Sequence, residues 1–300
     1  MLKPLVKSKY FLEILYVIGI IAISFSAIFI KWSHAEASVI AMYRLVITNL
    51  LLLPLIGKYK REIAALTLRQ WGLLGLTGIS LGLHFLLWMG SLHYTTVASS
   101  TIILTFQPIA VMIGSFYFFR LRANRPMLLG MGIAVIGCIA IGVGDFNLSG
   151  TALVGDLFSF LSVIAISLNM LLGKHLREQI SAYVYNFWVF AFAACALAIY
   201  NMAQHYSFGG YSQREWGLFL LLAIIPTLFG HYLFNWLLKY MNASVVSMAI
   251  LGEPVVASFL AWQLLSEKMT PLQLVASLFI LIGVWVFIRY GKEAKRSVAA

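Results

Sequence analysis

A chain of 300 residues with 62% hydrophobic and only 10% charged side chains cannot cover a water-soluble surface, which takes roughly a quarter charged residues. The excess of Lys+Arg 21 over Asp+Glu 10 gives a formal charge of +11, yet apolar stretches interrupt these charges and no long basic face forms. An anionic membrane surface therefore fits as a partner and nucleic acid does not. Cys138 and Cys195 both lie inside apolar runs, which gives neither a disulfide framework nor a metal cluster.

A bilayer span takes about 20 apolar residues, and ten such runs follow one another at 11–30, 37–56, 71–92, 96–119, 127–144, 153–173, 182–202, 216–238, 244–265 and 271–289. Lys3, Lys7 and Lys9 precede the first run, and Ala35-Glu36-Ala37 mimics a cleavage site. The run is too long for a signal h-region and nine more spans follow, so it reads as an uncleaved first helix.

In span 2, Arg44 lies about seven residues from one surface. It can bind a substrate carboxylate through a planar bidentate pair, or snorkel to headgroups and pair with Glu36. Its neighbour Tyr43, with Trp88, Phe106, Tyr232 and Trp236, can stack on a flat substrate or fill the bundle. Span 3 carries His84, and span 8 carries His231 at a nearly matching place; the two can relay protons or serve as hydrogen-bonded packing residues. Gly78 and Gly82 have the small-xxx-small spacing that lets helices approach closely. Gln107-Pro108 in span 4 and Glu253-Pro254 in span 9 put two helix-breaking prolines at matching mid-helix positions, as hinges, cavity walls or static shape. Glu253 sits about 14 Å deep by helical rise, where an ionised carboxylate in lipid costs about 3 kcal/mol, so it should face protein or water. It is either a coupling or cation-binding carboxylate or an acceptor for backbone N–H groups near the Pro254 break. Asp145 and Asp156 read as solvated residues flanking the loop between the two halves.

Assigning basic residues to alternate sides orients the chain. One side holds Lys3, Lys7, Lys9, Lys58, Lys60, Arg61, Arg69, Arg120, Arg122, Arg125, Lys174, Arg177, Lys239, Arg289, Lys292, Lys295 and Arg296, and the other only Lys31, Arg214 and Lys268. This split, 17 against 3, puts both termini in the cytoplasm and favours an even number of spans.

The second half also resembles the first. Arg69-Gln70-Trp71-Gly72-Leu73 matches Arg214-Glu215-Trp216-Gly217-Leu218 at an offset of 145; Tyr94, Gln107-Pro108 and Ile136-Gly137 match Tyr240, Glu253-Pro254 and Ile282-Gly283 at 146; Ala22-Ile23-Ser24 matches Ala165-Ile166-Ser167 at 143. Five helices per copy is an odd number, so the second copy enters the membrane from the opposite side. The expected fold is an all-α integral membrane protein of ten transmembrane helices in two inverted five-helix repeats, residues 1–150 and 151–300, the architecture of alternating-access transporters.

Leu251-Gly252-Glu253-Pro254-Val255, Ser266-Glu267-Lys268-Met269-Thr270-Pro271 and Gly283-Val284 strongly resemble the C-terminal half of EamA-type transporters of the drug/metabolite transporter superfamily. The N-terminal half is similar through Tyr43-Arg44, Gln107-Pro108 and Gly137. Arg120-Leu121-Arg122 departs from the family's Gly-Glu-Arg-like turn: the loop stays basic and loses an acidic counterpart to Glu267. The resemblance implies export of small organic metabolites, such as amino acids or related compounds, across the inner membrane, with protons as the coupling ion. No Walker pattern or His-Glu-x-x-His occurs, so ATP-driven transport by this chain alone is excluded and no cofactor, metal or catalytic residue is expected. The reading from a different class is a membrane-embedded enzyme acting on a lipid or isoprenoid carrier, which would gather polar catalytic groups near one interface. One chain holding both repeats can work as a monomer or homodimer.

Overall fold

The structure, a computed structural model, describes residues 9–91, 94–95, 100, 103–121, 123–142, 150–265 and 271–291. Lys3, Lys7, Arg122, Asp145, Glu267, Lys268, Lys292, Lys295 and Arg296 lie outside the described residues.

Among the described residues the chain forms ten helical units: α1 Lys9–Trp32, α2 Ala37–Ala64, α3 Leu68–Ser91, α4 Gln107–Phe119, α5 Arg125–Gly142, α6 Gly150–Arg177, α7 Ala182–Ala203, α8 Gln213–Leu237, α9 Ala243–Leu264 and α10 Pro271–Gly291. Seven are long and apolar enough to cross a bilayer as they stand, and α4, α5 and α10 are shorter apolar helices in their described parts. Only helices and closed barrels satisfy every backbone group in lipid, which is why apolar runs of this length become helices. α2 outruns its apolar segment: a short turn at Pro54 passes into Ile56–Ala64, whose Ile56, Tyr59 and Ile63 pack on the core while Lys58, Lys60 and Arg61 face outward.

The main packing pairs obey an exchange rule. Raising each helix number by five, and returning from ten to one, carries α3·α6 into α8·α1, α3·α7 into α8·α2 and α4·α6 into α9·α1; α2·α7, α4·α9 and α5·α10 map onto themselves. All of these pairs are in contact. This is the contact pattern of two inverted five-helix repeats related by a two-fold pseudo-axis. The self-mapping α5·α10 pair shows why small residues sit on such an axis. A Cβ on Gly130 would lie 2.7 Å from the Gly283 carbonyl oxygen, and one on Gly283 would lie 2.5 Å from that of Gly130.

Two apolar cores result. One joins α2, α3, α7 and the start of α8 around Leu45, Phe85, Phe190 and Phe219; the other joins α1, α5, α9 and α10 around Tyr16, Met131, Leu251 and Phe287. Between them runs a seam rich in polar groups. At the end of the bundle where the basic residues gather, called the basic end below, Lys174 and Arg177 continue α6 and are buried. They were expected in a connecting loop. Instead Lys174 Nζ donates to Leu238 O (2.8 Å) and Arg177 Nε to Asn235 O (3.0 Å), so both cations satisfy carbonyls at the end of α8. Asp156 is likewise corrected: it lies within α6, and its carboxylate accepts a hydrogen bond from Thr95 Oγ1 (2.8 Å).

Candidate functional site

The polar seam opens into a cavity of about 70 Å3, walled by α1, α2, α3, α4 and the residues just before it, α6, α8 and α9. Arg44, His84, Trp88, Gln107, His231 and Glu253 all line it. Both repeats contribute, as the exchange symmetry requires of a site on the pseudo-axis.

Arg44 is 1% exposed, so it neither snorkels outward nor pairs with Glu36. Its Nε donates to Thr227 Oγ1 (2.9 Å) on α8 and its Nη1 to Ser26 Oγ (3.2 Å) on α1, while the guanidinium lies 4.8 Å from the centroid of the Phe85 ring. Its Nη2 has no hydrogen-bond partner. Three neutral groups thus fix the plane of a full positive charge and leave one nitrogen uncommitted. A buried cation with a spare donor favours a carboxylate or similar oxyanion, because charge-assisted bonds to guanidinium are about twice as strong as neutral ones.

Glu253 lies on α9, five residues beyond a break in the helix at Met248. Its main-chain oxygen accepts from Ser24 Oγ (3.4 Å), and among the described residues no hydrogen bond or ion pair reaches its carboxylate. The acceptor role at the Pro254 break therefore falls to no part of that side chain here. A carboxyl group without a hydrogen bond and an incompletely paired guanidinium give the wall of one cavity both an acidic and a basic pole.

His84 Nδ1 lies 3.2 Å from Ser162 O. A carbonyl only accepts, so this nitrogen carries the proton and, in the neutral ring, Nε2 is left as an acceptor. The ring lies parallel to Trp88 at 6.2 Å between centroids, and Trp88 Nε1 is buried with no partner. His231 stands edge-on to Phe85 at 5.4 Å, so Phe85 separates the two histidines and carries Arg44 on its face. Gln107 is 4% exposed, in the first turn of α4.

The two prolines differ in setting. Pro108 follows a turn at Thr105–Phe106 and occupies the first turn of α4, where a missing N–H is tolerated. Pro254 lies inside a continuous helix. The prolines were expected at equivalent mid-helix positions, and only Pro254 is there.

Several expected residues stand apart. Tyr43, one helical step from Arg44, points elsewhere: its ring stacks on Phe219 at 5.2 Å and meets Trp216 at 4.9 Å, and its hydroxyl donates to Phe208 O. Trp236 packs on Tyr240 at 4.5 Å, Tyr232 joins the first core and Phe106 is exposed. None of these four lines the cavity. Conversely Ser26, Phe85, Thr227 and Ser247 were not singled out from the sequence. Thr227 had a readable signal: it follows Pro226 within an apolar run, where a hydroxyl beside a helix-interior proline is placed to bond carbonyls of the disturbed turn. Among the described residues no group of three or more His, Cys, Asp or Glu side chains could hold a metal ion.

An uncharacterized transporter of Archaeoglobus fulgidus is 27% identical over 268 residues, covering 89% of this chain and 94% of the relative. The uncharacterized transporter YetK of Bacillus subtilis is 25% identical over 265 residues, covering 86% and 80%. A crystal structure described simply as that of a protein superposes with a TM-score of 0.80 at 14% identity, covering 95% of this chain and 99% of the other, which establishes a common fold. The model of the EamA-like transporter family matches twice, at residues 11–143 and again at 153–289. With both halves matched, the chain belongs to the EamA-like transporter family.

Proposed function

We propose that this transporter exports a small organic metabolite, such as an amino acid or a related compound, across the inner membrane by alternating access, with proton entry as the driving step. The repeats at 1–150 and 151–300 rock about the cavity, Arg44 takes an anionic group of the solute, and Glu253 carries the proton or the solute's cationic group. The basic end faces the cytoplasm, following the charge split. One observation carries the reading: Arg44, His84, Gln107, His231 and Glu253, scattered over 200 residues of sequence, converge on one cavity between the two repeats, where alternating-access transporters hold their solutes. A cavity of about 70 Å3 admits a few waters and is well below the roughly 300 Å3 and upward of small-molecule sites. Solute entry therefore requires the walls to part, as rocking of one repeat against the other would do.

The test is flux. Purified protein in liposomes, given the labelled L-amino acids one at a time, should move at least one of them saturably and unchanged, faster when a pH gradient is imposed. Chemical conversion of a lipid without solute flux would favour the enzyme reading. Flux of every amino acid at the rate of empty liposomes would remove this substrate class.

A further inference from the structure

α8 contains an anomaly that its counterpart α3 lacks. From Ala223 to Tyr232 the helix widens to π geometry, and Pro226 lies inside that stretch. In an α-helix the N–H of residue 226 would bond to the Leu222 carbonyl; proline has none. In the π register the Leu222 carbonyl is served instead by the N–H five residues on, that of Thr227, and the Thr227 hydroxyl adds a second bond to the same oxygen at 2.7 Å. A hydroxyl has one proton, so with that proton committed Thr227 Oγ1 can only accept from any further neighbour. The neighbour is Arg44, whose Nε–H reaches it at 2.9 Å. The same segment is tied to α2 again by Thr48 Oγ1, whose single proton goes chiefly to Arg44 O (2.6 Å) and is shared with Ala223 O (3.2 Å). Thr227 is itself fully buried, so no water competes for either bond.

We propose that Thr227 is a positioning residue for solute binding: oriented by its hydroxyl bond to the Leu222 carbonyl, it anchors the Arg44 guanidinium through Nε and thereby presents the uncommitted Nη2 to a carboxylate of the solute. This rests on the cavity being the solute site. The consequence is specific to the hydroxyl. Serine keeps both bonds, whereas valine, of the same shape, keeps neither and leaves a charged donor unsatisfied.

Two measurements test it, and they fail separately. In detergent micelles, the full chain labelled with 15N-arginine should show the Arg44 Nε–H, assigned by its loss in Arg44→Lys, downfield of exposed arginines such as Arg214 and slow to exchange with water. Thr227→Ser should keep that signature and Thr227→Val should move it upfield. An Arg44 Nε–H indistinguishable from those of exposed arginines in the unmodified protein overturns the proposal, whether or not the valine variant folds. In liposomes, using the labelled L-amino acid with the largest flux, Thr227→Val should raise KM about tenfold with Vmax largely kept. Thr227→Ser should restore KM, and in an Arg44→Gln background Thr227→Val should add no further loss, since the two act as one unit. An equal KM penalty in both backgrounds overturns it. If no amino acid is carried, the proposed substrate class fails while the spectrum still decides on Thr227.

Discussion

α3 and α8 occupy equivalent places in the two repeats and are built in opposite ways. α3 is an uninterrupted helix that lies tightly against α7: a Cβ on Gly78 would come within 2.5 Å of Phe192 Cβ and 2.8 Å of Val189 O. α8 gives up regular geometry over Ala223–Tyr232, contains Pro226, and is tied to α2 by the side chains of Thr227, Arg44 and Thr48. Both deliver a histidine to the cavity, His84 and His231. One helix thus supplies its side chains from a rigid, close-packed wall, while the other shifts to π register and adds a side-chain network that holds the buried cation. Two-fold symmetry in the fold is compatible with a division of labour in the site.

The sharpest way to break that contrast is to overpack the rigid side. Gly78→Leu should abolish most of the folded yield, at a cost of about 3 kcal/mol or more, whereas Gly217→Leu on α8, where a Cβ meets nothing within 4 Å, should leave size-exclusion profiles unchanged. Equal yields from the two would show that α3 is not the close-packed wall. Next in size, Arg44→Gln should raise KM for a carboxylate-bearing solute roughly 10- to 100-fold while leaving the protein monodisperse; an unchanged KM would remove Arg44 from binding. The smallest effect belongs to Pro226→Ala. It adds an N–H that competes for the Leu222 carbonyl, which the π register already serves, so the stability in detergent should change by no more than about 1 kcal/mol. A large destabilisation would mean that the π segment depends on the proline itself.

Much of the fold was legible because lipid leaves few choices. The ten apolar runs, the alternation of charge and the repeat offsets report hydropathy and duplication directly, and the observed helices follow them. Boundaries set by charge were misleading where a charge is buried. The run ending at residue 173 continues to Arg177, because the carbonyls at the end of α8 supply what water otherwise would, and no hydropathy window contains that partner. The site was legible wherever a residue was costly in lipid: Glu253, Arg44, Gln107 and the histidines all reach the cavity. Tyr43 was misjudged because an aromatic ring is at home both in a site and in a core, and sequence does not give the helical rotation that turns it toward Phe219. Thr227 and Ser26 escaped because single hydroxyls are common in membrane helices; their importance arises from what they hold, which only the fold brings near.

The proposed coupling of solute movement to protons rests on Glu253, whose carboxylate faces the cavity between the repeats with no hydrogen bond or ion pair among the described residues. Glu253→Gln tests it most directly: the amide keeps size and a carbonyl acceptor but cannot titrate, and the first repeat already carries Gln107 at the matching place. In liposomes the variant should fold, should still exchange solute at equilibrium, and should no longer accelerate when a pH gradient is imposed. A Gln variant that pumps as fast as the unmodified protein in the gradient would contradict the account and leave Glu253 a structural residue.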